Sequence, residues 1–140
     1  MINWYPGHMA KAKRLIIEQL KFIDVVIEVL DARIPYSSRN PDITDMIKNK
    51  RHIIVLSKAD LSDSEITNLW VDSFSKKYNV KSVPVNAIKG IGINKLLYFL
   101  DEIKSEIAEK RKVKGMLPRP VRVIVLGIPN VGKSKLINSI

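Results

Sequence analysis

A chain of 140 residues, 46% of them hydrophobic, carries enough apolar content for one domain with a buried core, which excludes a disordered segment. It contains no cysteine, so a disulfide framework and a thiolate zinc site are excluded. Its 24 Lys+Arg against 14 Asp+Glu give a formal net charge of +10, which suits a polyanion such as nucleic acid as partner and suits a solvated lysine-rich surface equally well. No apolar run approaches a membrane span, and Met1 to His8 lacks the charged-then-apolar layout of a signal peptide, so a cytoplasmic protein without membrane contact is expected.

In chain order, Trp4-Tyr5-Pro6-Gly7-His8 places aromatics around a Pro-Gly turn. From Met9 to Leu20 the apolar positions Ala12, Leu15, Ile16 and Leu20, with Lys11, Lys13 and Arg14 between them, predict an amphipathic helix with a basic face. The run Val25 to Leu30 is β-branched and reads as a fully apolar buried strand ending in the polar stretch Asp31-Ala32-Arg33-Ile34-Pro35. Tyr36 to Pro41 reads as a loop, and Asp42 to Lys50 as a short helix with Ile43, Met46 and Ile47 on one side. His52 to Leu56 is a second strand, running into Ser57-Lys58-Ala59-Asp60.

Ser62-Asp63-Ser64-Glu65 has the layout of a capping box, and Ile66, Leu69, Trp70 and Phe74 continue a helix from it. Val80 to Val85 is a third strand, interrupted by Pro84 and followed by Asn86-Ala87-Ile88-Lys89-Gly90. Ile93 to about Arg111 is the longest helix, with Leu96, Leu97, Leu100, Ile103 and Ile107 at helical spacing and Glu102 and Glu106 facing Lys104 and Lys110. The basic stretch Arg111 to Pro120 holds Gly115 and two prolines, hence a connection, and Val121 to Leu126 is a last strand. Strands alternating with helices predict an α/β fold, a mostly parallel sheet with helices on both faces and its ligand beyond the carboxyl ends of the strands.

The last strand leads into Gly127-Ile128-Pro129-Asn130-Val131-Gly132-Lys133-Ser134, a G-x-x-x-x-G-K-S pattern between a strand and an apolar-periodic segment. Its glycines let successive backbone N–H groups converge on phosphate oxygens. Lys133 then reaches the β- and γ-phosphates, the Ser134 hydroxyl binds Mg²⁺, and the following helix dipole favours the anion. Such a loop does not distinguish ATP from GTP.

The base is read elsewhere. At the end of a strand, the carboxylate of Asp60 is able to accept both the ring N–H and the exocyclic amine of guanine, whereas adenine presents it with a lone pair. Leaving such a group unpaired costs about 1–3 kcal/mol, roughly tenfold or more in affinity. In isolation a Lys-x-Asp triplet is also a common helix-start loop with an N-capping aspartate.

Lys58-Ala59-Asp60 resembles the N-K-x-D motif of GTPases, and Asn86-Ala87-Ile88-Lys89 resembles their second base-contacting loop, usually Ser-Ala-Lys. Both precede the phosphate loop here, whereas in an ordinary GTPase both follow it. With Trp4-Tyr5-Pro6-Gly7-His8-Met9 and Asp31-Ala32-Arg33-Ile34-Pro35, this order resembles the circularly permuted GTPases of the YlqF/RbgA type, which assist assembly of the large ribosomal subunit. The resemblance covers essentially the whole chain. It implies a GTPase binding GTP/GDP with Mg²⁺, and rRNA or the large-subunit precursor as partner. It implies that Ser57, Lys58, Asp60, Asn86 and Ala87 serve the base, and that Asn130, Val131, Gly132, Lys133 and Ser134 serve the phosphates. Lys133 also counts as catalytic, Ser134 as the Mg²⁺ ligand, and Asn130 as a K⁺ ligand standing in for an arginine finger. His8 is implied to position the attacking water; without the resemblance it reads as a turn histidine. Asp31 fits either a polar residue at the core edge or a loop anchor.

Two departures stand out. Ser57 occupies the place of the usual asparagine, so guanine affinity is expected to fall by about 1 kcal/mol for each bond lost. Asn86 replaces the serine of the second base loop. The switch segments and the helical RNA-binding domain expected after the phosphate loop are not among the residues to Ile140, so residues 1–140 are expected to form the first part of a permuted G domain, its sheet left with an exposed edge. The oligomeric state is open. Two other readings fit less of the pattern: a nucleotide- or RNA-binding fragment without turnover, and a P-loop ATPase, which the Lys58-x-Asp60 placement opposes.

Overall fold

The computed structural model describes residues 2–3, 9–33, 47, 50–58, 63–86 and 89–127, with the backbone alone at 2–3, 9–13 and 78. Five strands form one sheet: β1 (Ile2–Asn3), β2 (Val25–Asp31), β3 (Arg51–Ser57), β4 (Lys81–Pro84) and β5 (Val123–Gly127). Their order is β1-β5-β2-β3-β4 and every pairing is parallel. Three helices are described: α1 (Met9–Leu20), α2 (Ser64–Tyr78) and α3 (Ile93–Val113). The expected α/β architecture is the observed one.

Side-chain alternation along β2 assigns the helices to faces. Val25, Ile27 and Val29 join Ile53, Val55, Val83 and Val125 beneath Ile93, Leu96 and Leu100 of α3. Val26, on the other face, packs with Ile16 and Leu20 of α1 and with Ile47, while Leu30 packs with Ile54, Leu56 and Phe74 of α2. Ile47 is helical and buried, as expected of it; the rest of the expected 42–49 segment lies outside the described residues. Of the apolar positions expected in the core of α3, Leu97, Ile103 and Ile107 are half-buried at its margin.

Several local expectations are corrected. The run from Val25 to Leu30 is not fully apolar, because Glu28 is buried between the α1 and α2 clusters, its Oε1 3.1 Å from His52 Nε2. A carboxylate there survives desolvation by having a polar partner. The cap of α2 is Asp63, not Ser62: Asp63 Oδ1 accepts from the N–H of Glu65 at 2.9 Å and of Ile66 at 3.3 Å. The buried side of α2 accordingly runs through Thr67, Trp70, Val71 and Phe74, leaving Ile66 and Leu69 exposed. Glu102 and Glu106 form ion pairs with Lys81 and Arg51 at the strand starts, not with Lys104 and Lys110 along the helix.

The last strand starts at Val123, two residues later than expected, because the backbone of Arg122 is engaged by Asp24: Arg122 N–H donates to Asp24 Oδ2 at 2.9 Å, and Arg122 C=O accepts from Asp24 N–H at 2.9 Å. Pro84 closes β4 at a sheet edge, where a missing donor is tolerated. β1 was not expected at all. It pairs only with Leu126 and Gly127, so among the described residues β5 from Val123 to Val125 has no strand neighbour on that side, as an exposed edge requires.

Candidate nucleotide-binding site

Because all five strands are parallel, their carboxyl ends share one edge. That edge gathers Asp31, Ser57, Lys58, Asn86 after β4, and Gly127, the first residue of the phosphate loop. Four segments far apart in sequence thus converge at one place. His8, Asp60, Ala87, Asn130, Val131, Gly132, Lys133 and Ser134 lie outside the described residues.

Ser57 ties strands together at this edge. Its Oγ donates to the Leu30 carbonyl at 3.1 Å and its carbonyl accepts from Ala32 N–H at 2.9 Å. Lys58 then leaves β3 in the left-handed region (φ 57°), a conformation that costs a non-glycine residue about 1 kcal/mol and turns the chain sharply at the strand end.

Asp31 is buried and organises the same corner, which settles its role as a loop anchor. Its Oδ1 accepts from the Arg33 N–H at 2.9 Å and from Arg33 Nε at 3.0 Å, and its Oδ2 accepts from Arg33 Nη2 at 2.7 Å. Lys58 Nζ stands 3.8 Å from Oδ2. The Arg33 hydrogen bonds hold the Asp31 carboxyl below its usual range, against a partial offset from burial, and Lys58 adds to the lowering. A depressed pKa means that this contribution to stability is complete above the unfolded-state value and is lost as pH falls through the folded one. Asp31→Asn is therefore expected to cost about 1 kcal/mol at pH 7, a charged hydrogen-bond value discounted for the solvent exposure of Arg33. The deficit should shrink on acidification below about pH 4; thermal melts of both proteins across that range check it, and a deficit constant with pH contradicts it.

Asn86 is buried and shapes the second loop from inside. Its N–H donates to the Ile91 carbonyl at 3.0 Å, its carbonyl accepts from Ile91 N–H at 3.1 Å, and its Oδ1 accepts from Lys89 N–H at 3.3 Å. The side chain of Asn86 closes its own loop. Gly90 and Gly92 supply the positive φ angles, 72° and 85°, that return the chain to α3. Asp31 as anchor and Asn86 as loop clasp were not legible from residue type; the signal for both was a polar residue directly after an apolar run.

Among the described residues no group of His, Asp and Glu forms a metal site, and no helix is long and apolar enough to cross a membrane.

The sheet with helices on both faces is an α/β fold, and known proteins that the chain is similar to are GTPases of this kind. It is 49% identical over 138 residues to ribosome biogenesis GTPase A of Bacillus licheniformis, covering 99% of this chain and 48% of that protein. It is 37% identical over 138 residues to the mouse mitochondrial ribosome-associated GTPase 1, covering 99% of this chain and 41% of that one. Among solved structures, GDP-bound TM YlqF superposes with a TM-score of 0.65 at 30% identity, over 89% of this chain and 46% of that one. The apo form of elongation factor SelB from Methanococcus maripaludis, at 19% identity and a TM-score of 0.53 over 71% of this chain and 24% of that one, shares the fold alone. The chain matches no protein-family model. In sequence and fold it is similar to the ribosome biogenesis GTPases of the YlqF/RbgA type, and it spans about half the length of the curated relatives it matches.

Proposed function

We propose that residues 1–140 belong to a circularly permuted G domain, and that the complete protein binds GTP or GDP and hydrolyses GTP in the cytoplasm while acting on the precursor of the large ribosomal subunit and its rRNA. The observation that carries this reading is the convergence of Ser57-Lys58, Asn86 and Gly127 on one sheet edge, with both base-loop segments ahead of the phosphate loop in the chain instead of behind it. The similarity to GTPases over nearly the whole chain supports it.

In this reading Asp60 accepts the two guanine donors, with Lys58 beside it, and Ser57 fixes the strand end from which both project. Ala87 offers its backbone N–H to the base from the loop that Asn86 holds closed. Asn130, Val131 and Gly132 present backbone N–H groups to the phosphates, and Lys133 neutralises the β- and γ-oxygens as charge shifts in phosphoryl transfer. The donor chemistry suits two cations, since the Ser134 hydroxyl and Asn130 amide are hard oxygen ligands for Mg²⁺ and K⁺. Both ions would supply positive charge where negative charge develops. His8 holds and orients the attacking water.

GTP hydrolysis by the complete protein is expected to be at least roughly tenfold faster in K⁺ than in equal Na⁺, and His8→Ala is expected to lower kcat roughly 100-fold with GTP affinity unchanged. Steady-state phosphate release measures both. Equal rates in the two salts with unchanged kcat in the variant remove those roles, and no turnover in either salt overturns the activity.

A further inference from the structure

The last turn of α3 and the connection from it to β5 carry Lys110, Arg111, Lys112, Lys114, Arg119 and Arg122 and no acidic residue from Lys110 to Arg122. Cations in the last turn of a helix complement its dipole, and a basic connection is commonly a loose one. This one is built. Gly115 (φ 70°) ends α3 with Met116 N–H donating to the Arg111 carbonyl at 2.9 Å and Gly115 N–H to the Lys112 carbonyl at 3.0 Å, a Schellman closure. The Arg111 guanidinium donates to the Leu117 carbonyl through Nε at 3.0 Å and Nη2 at 2.6 Å. Arg119 forks onto both oxygens of Asp24 at 2.8 Å, and Arg122 N–H donates to the same carboxylate.

Four cationic side chains are left over. Among the described residues Lys110, Lys112, Lys114 and Arg122 are exposed and make no ion pair, and the acids at this end are engaged elsewhere: Asp24 with Arg119, Glu102 with Lys81, Glu106 with Arg51. Glu109, exposed on the same helix, forms no ion pair with them among the described residues. Beside them Val113 and Leu117 are 78% and 82% exposed, apolar surface on a fixed frame. Lys110 and Lys114 are about 6 Å apart along the helix axis. The surface lies at the amino edge of the sheet, about 23 Å from the nucleotide edge for strands of this length, so both sites can be occupied together.

We propose that this surface, from Lys110 to Arg122, docks RNA, with Lys110, Lys112 and Lys114 gripping the sugar–phosphate backbone and Val113 and Leu117 packing against ribose. The proposal rests on the reading of the protein as a ribosome-assembly factor. RNA fits better than a protein partner because the unpaired groups are all cations with no acid among them, and backbone contacts of this kind recognise shape over sequence.

The test is binding of deproteinised large-subunit rRNA by the complete protein across 50 to 300 mM KCl, with GDP affinity measured in parallel. In Lys110→Gln/Lys112→Gln/Lys114→Gln the slope of log affinity against log salt is expected to fall by about 2–3. Affinity at about 150 mM salt should drop roughly 10- to 100-fold, with GDP affinity within about twofold of wild type. The corresponding Lys→Arg triple should bind as wild type does. An unchanged slope overturns the proposal, as does an equal loss in Arg14→Gln/Lys95→Gln/Lys104→Gln, which removes the same charge from scattered exposed positions. Unchanged RNA affinity with increased protease sensitivity of the complete protein overturns it too, and assigns the surface to a protein contact. Loss of GDP binding by the wild type would instead count against the nucleotide site.

Discussion

Gly92→Ala is expected to destabilise the domain by at least about 3 kcal/mol, whereas Gly90→Ala, two residues away, should cost only about 1 kcal/mol. Both glycines have positive φ, so each alanine pays for a left-handed backbone. They differ in what the new methyl group meets. At Gly90 there is nothing within 4 Å, while at Gly92 a Cβ would lie 2.2 Å from the Pro84 carbonyl oxygen and 3.2 Å from Val85 Cγ2. The obstacle at Gly92 is backbone of the adjoining strand end, which cannot turn aside as a side chain would. Relief requires moving the start of α3 away from β4, and with it the loop that Asn86 and Ile91 close. Urea unfolding of the two variants measures the difference, and Gly92→Ala should also weaken GDP binding through that loop. Equal, small losses at both positions would contradict the close approach.

Asp60→Ala is expected to raise the dissociation constant for GDP by roughly tenfold to a thousandfold and to leave ADP binding nearly unchanged. In the proposed site the carboxylate would make two charge-assisted hydrogen bonds to guanine and offer adenine only repulsion, so its removal would withdraw both the attraction and the exclusion. Ser57 ties the end of β3 to β2, and Lys58 leaves the strand in the left-handed region. The serine itself spends its hydroxyl on the Leu30 carbonyl, so the base-edge bonds of the usual asparagine are not replaced by this side chain. Weaker guanine binding than an asparagine would give is the expected cost, which would leave Asp60 a correspondingly larger share of the discrimination.

Much of the fold was legible because its signals are local. The period of α1 gave its limits without error, and β-branched runs gave β2, β3 and β5 to within two residues, since apolar runs flanked by polar ends admit few other readings. What escaped was set by tertiary contacts. β1 is too short to show a period and exists through pairing with β5. Asp63 displaced Ser62 as the cap because two neighbouring side chains offered the same oxygen and sequence does not rank them. Glu102 and Glu106 reached across to strand starts that no helical spacing reveals. At the candidate site, sequence placed Asp31, Ser57 and Asn86 directly after strands, as observed, but not the division of labour among them: Asp31 as anchor and Asn86 as clasp depend on bonds to residues two to five positions away in turns. The buried Glu28 was hidden by its apolar neighbours.

If the loops at the carboxyl edge form one site that reads guanine as well as phosphate, the complete wild-type protein discriminates sharply between ADP and GDP. The ratio of the two dissociation constants, by competition against a fluorescent GDP analogue, measures this. A ratio of at least roughly 100 is predicted, from two charge-assisted bonds gained and one repulsion avoided. A ratio near one, with both nucleotides bound, would leave only the phosphate loop at work and contradict the account.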